Sequence, residues 1–337
     1  MVSALPLQAQ IYGVSFEASA WKTTAGPFVC RLTHEIPQYG VGVFERKSRQ
    51  TETFSLQQGT PKLALGVVTV AAVPPPWRAD LGQQPLAQIQ AVAGKKPVNL
   101  NAAQAAALTT QLNNGMRIMF SGSQQNGGVQ GVFITLEPNK FAAAYKKYTQ
   151  CVANLIPYRF QQLARVLLSY PAQATALSSS AKTELDKIAR YAKADAKVLG
   201  IIVDAHAEQL EDEQAAVDAS KQQAEWVTQY LVSKGIKAEQ ITTRWHGDEF
   251  PIATNSNDAG RAKNRRVTLR LESAETRLAT AKKLAALKAA ALAAQQSSSV
   301  SSIPAPLPSA LERLVNMVDE QDLTSGKMPQ IHADDLR

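Results

Sequence analysis

Residues 260–272, GRAKNRRVTLRLE, join a basic cluster to the alternating pattern of a β-strand, and they decide the fold of the second half of the chain. Arg261 and Arg265 are four residues apart, which places them on one face of a short helix with Asn264 beside them. From residue 267 to 271 every second residue is apolar, as in a strand with one buried face. The stretch therefore predicts a short helix that leads directly into a final strand.

The basic cluster leaves three kinds of neighbour open: nucleic acid, another anion, or solvent. The chain of 337 residues carries a net charge of +8, which favours an anionic partner. Surfaces that bind RNA or single strands interleave basic residues with aromatic rings, but aromatics are only 6% of this chain and the cluster has none. We therefore expect no nucleic-acid binding. Two alternatives remain: a helix start that recognises a carboxylate, and a solvated helix whose arginines pair with local acids such as Asp258.

The region upstream of this stretch alternates between strand and helix patterns. A nearly continuous apolar run, VLGIIVDAHAE, is typical of a strand covered on its faces. A helix is predicted from about Asp212 to Lys234, ended by Gly235. Further strands are predicted at RVLLSYP and ITTRWHG, and a further helix at SSAKTELDKIARYAKAD, with Leu185, Ile188 and Tyr191 on one face. This alternation predicts a compact α/β layer structure over residues 153–273.

The first half of the chain has the sequence pattern of a β-rich domain, which we predict at residues 11–152. Apolar runs bounded by turn residues include PKLALGVVTVAAV, which PPPW ends, and GPFVCRLTHEIPQYGVGVFERKS. The clearest hairpin is MRIMFSGSQQNGGVQGVFITLEP, with its turn at residues 126–128. One helix is expected within LNAAQAAALTTQLNNG, where Asn101 can cap and Asn114-Gly115 can end it.

The two ends of the chain differ from these domains. Residues 1–10, MVSALPLQAQ, fit either the back end of a secretory signal or an ordinary disordered start. Residues 274–296 are rich in Ala and Lys and predict an exposed helix, and residues 297–308 are a Ser/Pro linker by composition. Residues 309–337 begin with a short amphipathic helix, which is either ordinary packing or a docking helix for a partner. Its apolar stripe consists of Leu311, Leu314, Val315 and Val318.

Two cysteines, Cys30 and Cys151, are the only ones in the chain. In a cytosolic protein two buried free thiols would be unremarkable, whereas in an exported chain the pair favours a disulfide. No window approaches the roughly 20 apolar residues that a membrane-spanning helix needs.

Catalytic and metal-binding motifs are not found in the sequence. The four histidines form no H-E-x-x-H pair, and there is no C-x-x-C, G-x-S-x-G or phosphate-binding P-loop motif. His206 stands near Glu208 and could imitate an acid/base pair, but a polar residue that closes a strand is the simpler interpretation. We expect a protein that is not an enzyme, with no metal and no cofactor.

The deciding stretch, together with GIKAEQITTRWHGDEFPIATNSND before it, resembles the closing half of the OmpA-like peptidoglycan-binding domain. VDAHAEQLEDEQAAVDASKQQAEWV is similar to the strand, acidic turn and helix of that domain. The resemblance implies a pocket for the diamino acid of the peptidoglycan stem peptide, in which an acid meets the ammonium and arginines meet the carboxylate.

Residue by residue, the resemblance predicts a weakened pocket. Arg261, Asn264 and Arg265 match the family pattern, and Glu208 replaces an aspartate with an acid one methylene longer. Gln223, however, stands where the family has its principal arginine. A neutral amide offers no charge-assisted fork, and that loss is worth about 1.5–3 kcal/mol. A second family residue, an asparagine, is replaced by Ala216, which removes a polar group from the same helix.

The first half resembles the MotY family, periplasmic proteins of sodium-type flagellar motors, at CRLTHEIPQYGVGVF, VPPPW and CVANLIPYRF. The resemblance implies a disulfide between Cys30 and Cys151 and a place in the periplasmic T ring, a ring oligomer that seats stator units. It also implies three partners: a MotX-like protein, the outer rings of the basal body, and the periplasmic region of the stator B subunit. The alternative is a general OmpA-like envelope anchor or secretion-machine component. The predicted fold class is α+β with two domains: a β-rich domain, an OmpA-like α/β sandwich of βαβαβ type, then an Ala-rich helix and linker tail.

Overall fold

The computed structural model describes residues 9–78, 80–124 and 131–297, with side chains through residue 290. The chain divides into two compact units, Met1–Pro157 and Tyr158–Arg337. Among the described helices, none combines the length and apolar character that crossing a membrane requires. The predicted linker at residues 297–308 lies outside the described residues beyond Ser297, and so does the whole of the predicted segment 309–337.

Over its described residues, the first unit contains two five-stranded sheets and two helices. One sheet has the strand order β1-β10-β9-β6-β7 and the other β2-β3-β4-β5-β8. Its strands are β1 (Gln10–Tyr12), β2 (Trp21–Ala25), β3 (Val29–Ile36), β4 (Gly40–Lys47), β5 (Thr53–Gln58), β6 (Gly66–Val73), β7 (Gln84–Ala91), β8 (Val98–Leu100), β9 (Arg117–Ser123) and β10 (Gly131–Leu136). Its helices are α1 (Ala102–Asn113) and α2 (Phe141–Ala153), and Pro76–Arg78 forms a 3-10 turn.

The core of this unit lies between the two sheets. Alternate residues of β3 are buried, as the sequence pattern predicts for a half-buried strand. Phe44 and Phe54 of the second sheet pack with ring centroids 4.7 Å apart, and Phe54 stacks on Phe120 of the first sheet at 5.7 Å. These aromatic contacts join the two sheets through the centre of the unit.

A single helix interrupts the strands where the sequence predicts it. The side chain of Asn101 accepts a hydrogen bond from the Gln104 amide, and the backbone N–H of Asn101 donates one to Gln104 Oε1, which completes a capping box at the start of α1. The chain leaves the helix through Gly115, whose φ of +79° favours glycine. The predicted hairpin forms from β9 and β10. Its turn at residues 126–128 lies outside the described residues.

The disulfide between Cys30 and Cys151 joins β3 to α2 and closes a loop of 121 residues. Beyond α2, the Ile156 amide donates to Pro27 O (2.9 Å) and Ser48 Oγ donates to Ile156 O (2.5 Å). These bonds hold the segment after the helix to the first unit. The unit therefore ends at Pro157, five residues after the boundary that the change of sequence texture suggested.

The second unit is built on a four-stranded sheet with the order β11-β14-β12-β13. β12 and β13 are parallel, whereas β14 runs antiparallel to both of its neighbours. The strands are β11 (Arg165–Ser169), β12 (Gly200–His206), β13 (Ile241–Trp245) and β14 (Arg266–Glu272). The helices are α3 (Phe160–Leu163), α4 (Ser179–Ala194), α5 (Glu213–Ser233), α6 (Asp258–Asn264) and α7 (Ala274–Ser297). Strands and helices alternate, as the sequence predicts.

The deciding stretch forms α6 and β14. β14 lies between β11 and β12 in the sheet, and Arg266–Leu271 are all buried. The α4 side chains Leu185, Ile188 and Tyr191 are buried on one face, as predicted. The loops that follow β12 and precede β14 bring Glu208 and α6 together at one end of the sheet.

Candidate functional site

Three of the five predicted binding residues meet at this end of the sheet. Arg265 Nη1 lies 2.8 Å from Glu208 Oε2, and Arg261 Nε lies 3.5 Å from the same oxygen. Arg265 also donates through Nε to Tyr170 O at 3.2 Å. The acid that the resemblance assigns to a ligand's ammonium is thus already paired with Arg261 of α6 and with Arg265, which follows that helix.

The start of α6 explains the glycine of the deciding stretch. Asn257 caps the helix by accepting a hydrogen bond from the Gly260 amide at 2.8 Å. A Cβ atom on Gly260 would lie only 1.8 Å from Thr254 O, so the backbone approaches too closely for any other residue. This close packing fixes where the helix begins and therefore where Arg261 points.

Arg261 has local partners in addition to Glu208. It donates through Nη1 to Asn255 O at 2.9 Å and forms a short ion pair with Asp258. The alternative in which the arginines pair with local acids is therefore part of the arrangement. Two acids and two arginines balance, so this group, Glu208, Asp258, Arg261 and Arg265, has no net charge to attract an anion.

Asn264 is buried, and its side chain holds the loop that precedes α6. Its side chain is 0% exposed, accepts from the Ile252 and Ala253 amides (2.9 and 3.0 Å), and donates to Ala253 O and Asn255 Oδ1 (2.9 and 2.8 Å). An amide has two donors and two acceptor positions, and all four are used. The asparagine therefore holds the loop at residues 252–255 and is saturated by it.

Gln223 lies on α5 and is only 4% exposed. It lines a cavity of about 20 Å³ together with Tyr170, Ser169 and Ser178. Such a volume holds about one water molecule. Tyr170 connects this cavity to the ion pairs, because its carbonyl accepts from Arg265. The fifth predicted residue thus presents a neutral amide to a small, largely enclosed space.

Comparison with known proteins identifies both units. Residues 12–157 match the MotY N-terminal domain, and residues 170–265 match the OmpA family. The chain joins a MotY N-terminal domain to an OmpA-family domain.

Individual proteins are similar to all or part of this chain. The sodium-type flagellar protein MotY of Vibrio parahaemolyticus is 26% identical over 264 residues, which cover 77% of this chain and 89% of that protein. Outer membrane protein A of Bordetella avium is 37% identical over 87 residues, 26% of this chain and 44% of its own length. Among solved structures, the peptidoglycan-associated lipoprotein of Burkholderia pseudomallei matches with a TM-score of 0.31 and 18% identity, over 35% of this chain and 95% of that one. The names of these proteins denote a flagellar protein, an outer membrane protein and a peptidoglycan-associated lipoprotein.

The OmpA-family domain also contains a buried ionic cluster that the sequence did not reveal. Asp204 of β12 is 3% exposed and pairs with Arg244 of β13 (Nε to Oδ1, 2.5 Å) and Arg270 of β14 (Nη2 to Oδ2, 2.8 Å). His246 Nε2 lies 3.2 Å from Asp204 Oδ1. Burial alone would raise the pKa of the Asp204 carboxyl, but the His246 hydrogen bond and the two arginines outweigh it and hold that pKa well below its usual range. The carboxylate is therefore charged at neutral pH.

This cluster is a structural feature of the OmpA-family domain, since Asp204 pairs with arginines from the strands on both sides of it. His206, next to it, is buried and stacks on His246 with ring centroids 4.8 Å apart, so the structure places it in packing and not in an acid/base pair with Glu208. Among the described residues, no group of three or more His, Cys, Asp or Glu side chains could hold a metal ion.

Proposed function

We propose that this protein is a non-enzymatic structural component of a flagellar motor, a MotY-like subunit of the periplasmic T ring that helps seat stator units around the basal body. The observation that carries the proposal is the joint match: a MotY N-terminal domain at residues 12–157, and likeness to a flagellar MotY protein over 89% of that relative's length. An OmpA-family domain alone would support only an envelope role, because many envelope proteins contain one.

The proposed setting is the periplasm, in association with the basal body and the outer membrane. The disulfide between Cys30 and Cys151 supports this setting, since such bonds persist in oxidising compartments. The proposed partners are a MotX-like protein, the outer rings of the basal body and the periplasmic region of the stator B subunit. We propose that several copies assemble into the ring.

Peptidoglycan binding is proposed to be weak. Glu208 is paired with Arg261 and Arg265, so a ligand's ammonium would have to compete with two guanidinium groups that are already in place. Gln223 supplies no charge for the ligand's carboxylate, and Asn264 has no hydrogen-bonding capacity left. The domain then acts in the ring mainly through its folded surface. Its contact with the peptidoglycan wall is secondary.

The competing hypothesis is a general envelope anchor or secretion-machine component. Deletion of the gene separates the two, with motility in soft agar and detergent sensitivity measured in the same strains. The motor hypothesis predicts loss of swimming with an unchanged envelope, and recovery on expression of the full chain. Cells that swim normally but become detergent-sensitive would instead favour the anchor.

A further inference from the structure

Three exposed aliphatic side chains lie together at one end of the first unit. Leu65, Val67 and Val92 are 69%, 53% and 51% exposed. Because Gly66 pairs with Ala91, Leu65 and Val92 face each other just beyond the β6–β7 ladder. Val67 follows Leu65 on the same face, since side chains alternate along a strand. The sheet thus presents a small aliphatic surface where β6 begins and β7 ends.

Three lysines border these aliphatic side chains. Lys95 and Lys96 are exposed in the turn that follows Val92. Lys62 is half-buried and lies three residues before Leu65. We call the surface formed by these six residues the β6–β7 surface: Lys62, Leu65, Val67, Val92, Lys95 and Lys96.

A buried glutamine holds the two lysine segments together. Gln58 is 6% exposed, its Nε2 donates to Gly94 O at 3.0 Å, and its Oε1 accepts from the Lys62 amide at 3.0 Å. The Gln58 amide also donates to Lys95 O at 2.9 Å. Gly94 has a φ of +105°, a conformation that favours glycine. Since one residue contacts both segments, the backbones of Lys62 and Lys95 are fixed beside each other.

Acids are scarce in this part of the chain. Residues 1–157 contain thirteen basic and six acidic residues, a net charge of +7 out of +8 for the whole chain. Between Glu52 and Glu137 the sequence has one acid, Asp80. Asp80 precedes β7, whereas Val92 follows the other end of that strand, whose eight residues span about 26 Å. The three lysines therefore lie in a region of positive charge.

We propose that the β6–β7 surface binds a bilayer that contains anionic phospholipids. The aliphatic side chains enter the boundary between headgroups and acyl chains, and the lysines meet the headgroup phosphates. Exposed apolar patches mark interaction sites, and basic residues beside them add attraction to an anionic membrane surface. The long lysine side chains keep their ammonium groups at the headgroups while the shorter apolar side chains insert.

The residue types favour a bilayer over an acidic protein as the partner. Energetically dominant residues of protein interfaces are enriched in Trp, Tyr and Arg, whereas Leu and Val are under-represented and Lys is depleted. The β6–β7 surface consists of leucine, valine and lysine only. The inference does not depend on the motor function, and its test needs no other motor component.

The first test is cosedimentation of the full chain with lipid vesicles. Vesicles that mix phosphatidylglycerol with phosphatidylcholine should bind the chain, and phosphatidylcholine alone should bind it far less. Added salt should weaken the binding, because it screens the lysines. Lys95→Gln with Lys96→Gln should lower the affinity about fivefold for each charge removed. The matched control, Lys146→Gln with Lys147→Gln at exposed positions of α2, should leave it nearly unchanged.

A fluorescent probe distinguishes insertion from adsorption. Both native cysteines are in the disulfide, so Val92→Cys introduces a single thiol for an environment-sensitive fluorophore. Its emission should shift to the blue on mixed vesicles, whereas the same fluorophore at Val232→Cys, a position of α5 that is 42% exposed, should not shift.

Three results would overturn the proposal. They are no binding to the mixed vesicles, equal effects of the two lysine pairs, and equal emission shifts at the two labelled positions. Capture of poly-glutamate through Lys95 and Lys96 without vesicle binding would overturn it in favour of an acidic protein partner.

Discussion

Asp204→Asn gives a direct measure of how much the buried ionic cluster stabilises the OmpA-family domain. The substitution keeps the shape of the side chain but removes the negative charge that Arg244 and Arg270 share across three strands. Removing one partner from a buried ion pair typically costs about 3–5 kcal/mol, because the remaining charge loses its compensation inside the protein. We expect a loss near the lower end, about 3 kcal/mol, since Arg244 is partly exposed and the asparagine oxygen still accepts a hydrogen bond.

The matched control is Asp258→Asn in the same domain. Asp258 also pairs with an arginine, but its side chain is 97% exposed, so this pair should contribute only about 0–1 kcal/mol. Hydrogen exchange followed by mass spectrometry on the full chain gives the opening free energy of peptides from β12 and β14 and keeps the two domains separate. If both substitutions lower that free energy equally, the cluster does not stabilise the sheet as we reason.

The same cluster predicts a pH dependence with a definite sign. The folded-state pKa of Asp204 is lowered relative to the unfolded value of about 3.9, so its contribution to stability is fully present above that pH. The contribution is lost as the pH falls below about 4 towards the folded-state pKa. The stability difference between the parent chain and Asp204→Asn should therefore be constant from neutral pH to about pH 5 and shrink under stronger acid. A difference that already disappears near neutral pH would contradict this assignment.

Three further predictions concern the disulfide, the start of α6 and the wall contact. Reduction of the Cys30–Cys151 bond, which closes a loop of 121 residues, should lower the unfolding free energy of the first unit by about 5 kcal/mol, measured by urea denaturation with and without reductant; an unchanged midpoint would refute this. Gly260→Ala should destabilise the region around α6 by about 1–3 kcal/mol, seen as faster hydrogen exchange there, because Thr254 O occupies the space that the new Cβ needs. Gln223→Arg should raise binding to peptidoglycan sacculi in pull-down assays by roughly tenfold or more, whereas the same substitution at exposed Gln222 should not. Equal binding of the parent chain and Gln223→Arg would contradict a weakened pocket.

Much of the fold follows from local sequence signals. Asn101 and Asn114-Gly115 bound α1, and alternation from residue 267 to 271 predicts β14. The pairing of two cysteines follows once the chain is taken as exported. These signals are short-range, because caps, turns and strand periodicity depend on neighbours within a few residues.

The ionic cluster could not be predicted in this way. Asp204 reads as one polar residue in an apolar strand, and its arginine partners lie 40 and 66 residues away in sequence. They become neighbours only because β12 lies between β13 and β14, an order that the strand patterns do not specify. Arg266, Thr268 and Arg270 occupy every second position at the start of the last strand. This alternation was the available signal of a polar face within the sheet.

The candidate site shows a similar limit. The resemblance assigned Glu208, Arg261 and Arg265 to one site, and their side chains lie within ion-pair distance of one another. It could not predict that the two arginines would both pair with the glutamate, or that Asn264 would be saturated by the loop before α6. Those facts depend on side-chain conformations, which the identity of a residue does not determine.

Imaging of the motor tests the central claim most directly. Electron cryotomography of basal bodies, in cells that lack this gene and in cells that express the full chain again, would show whether the protein builds a periplasmic ring. The account predicts that ring density around the basal body is lost in the deletion strain and returns with the full chain. An intact ring in fully motile deletion cells would contradict it.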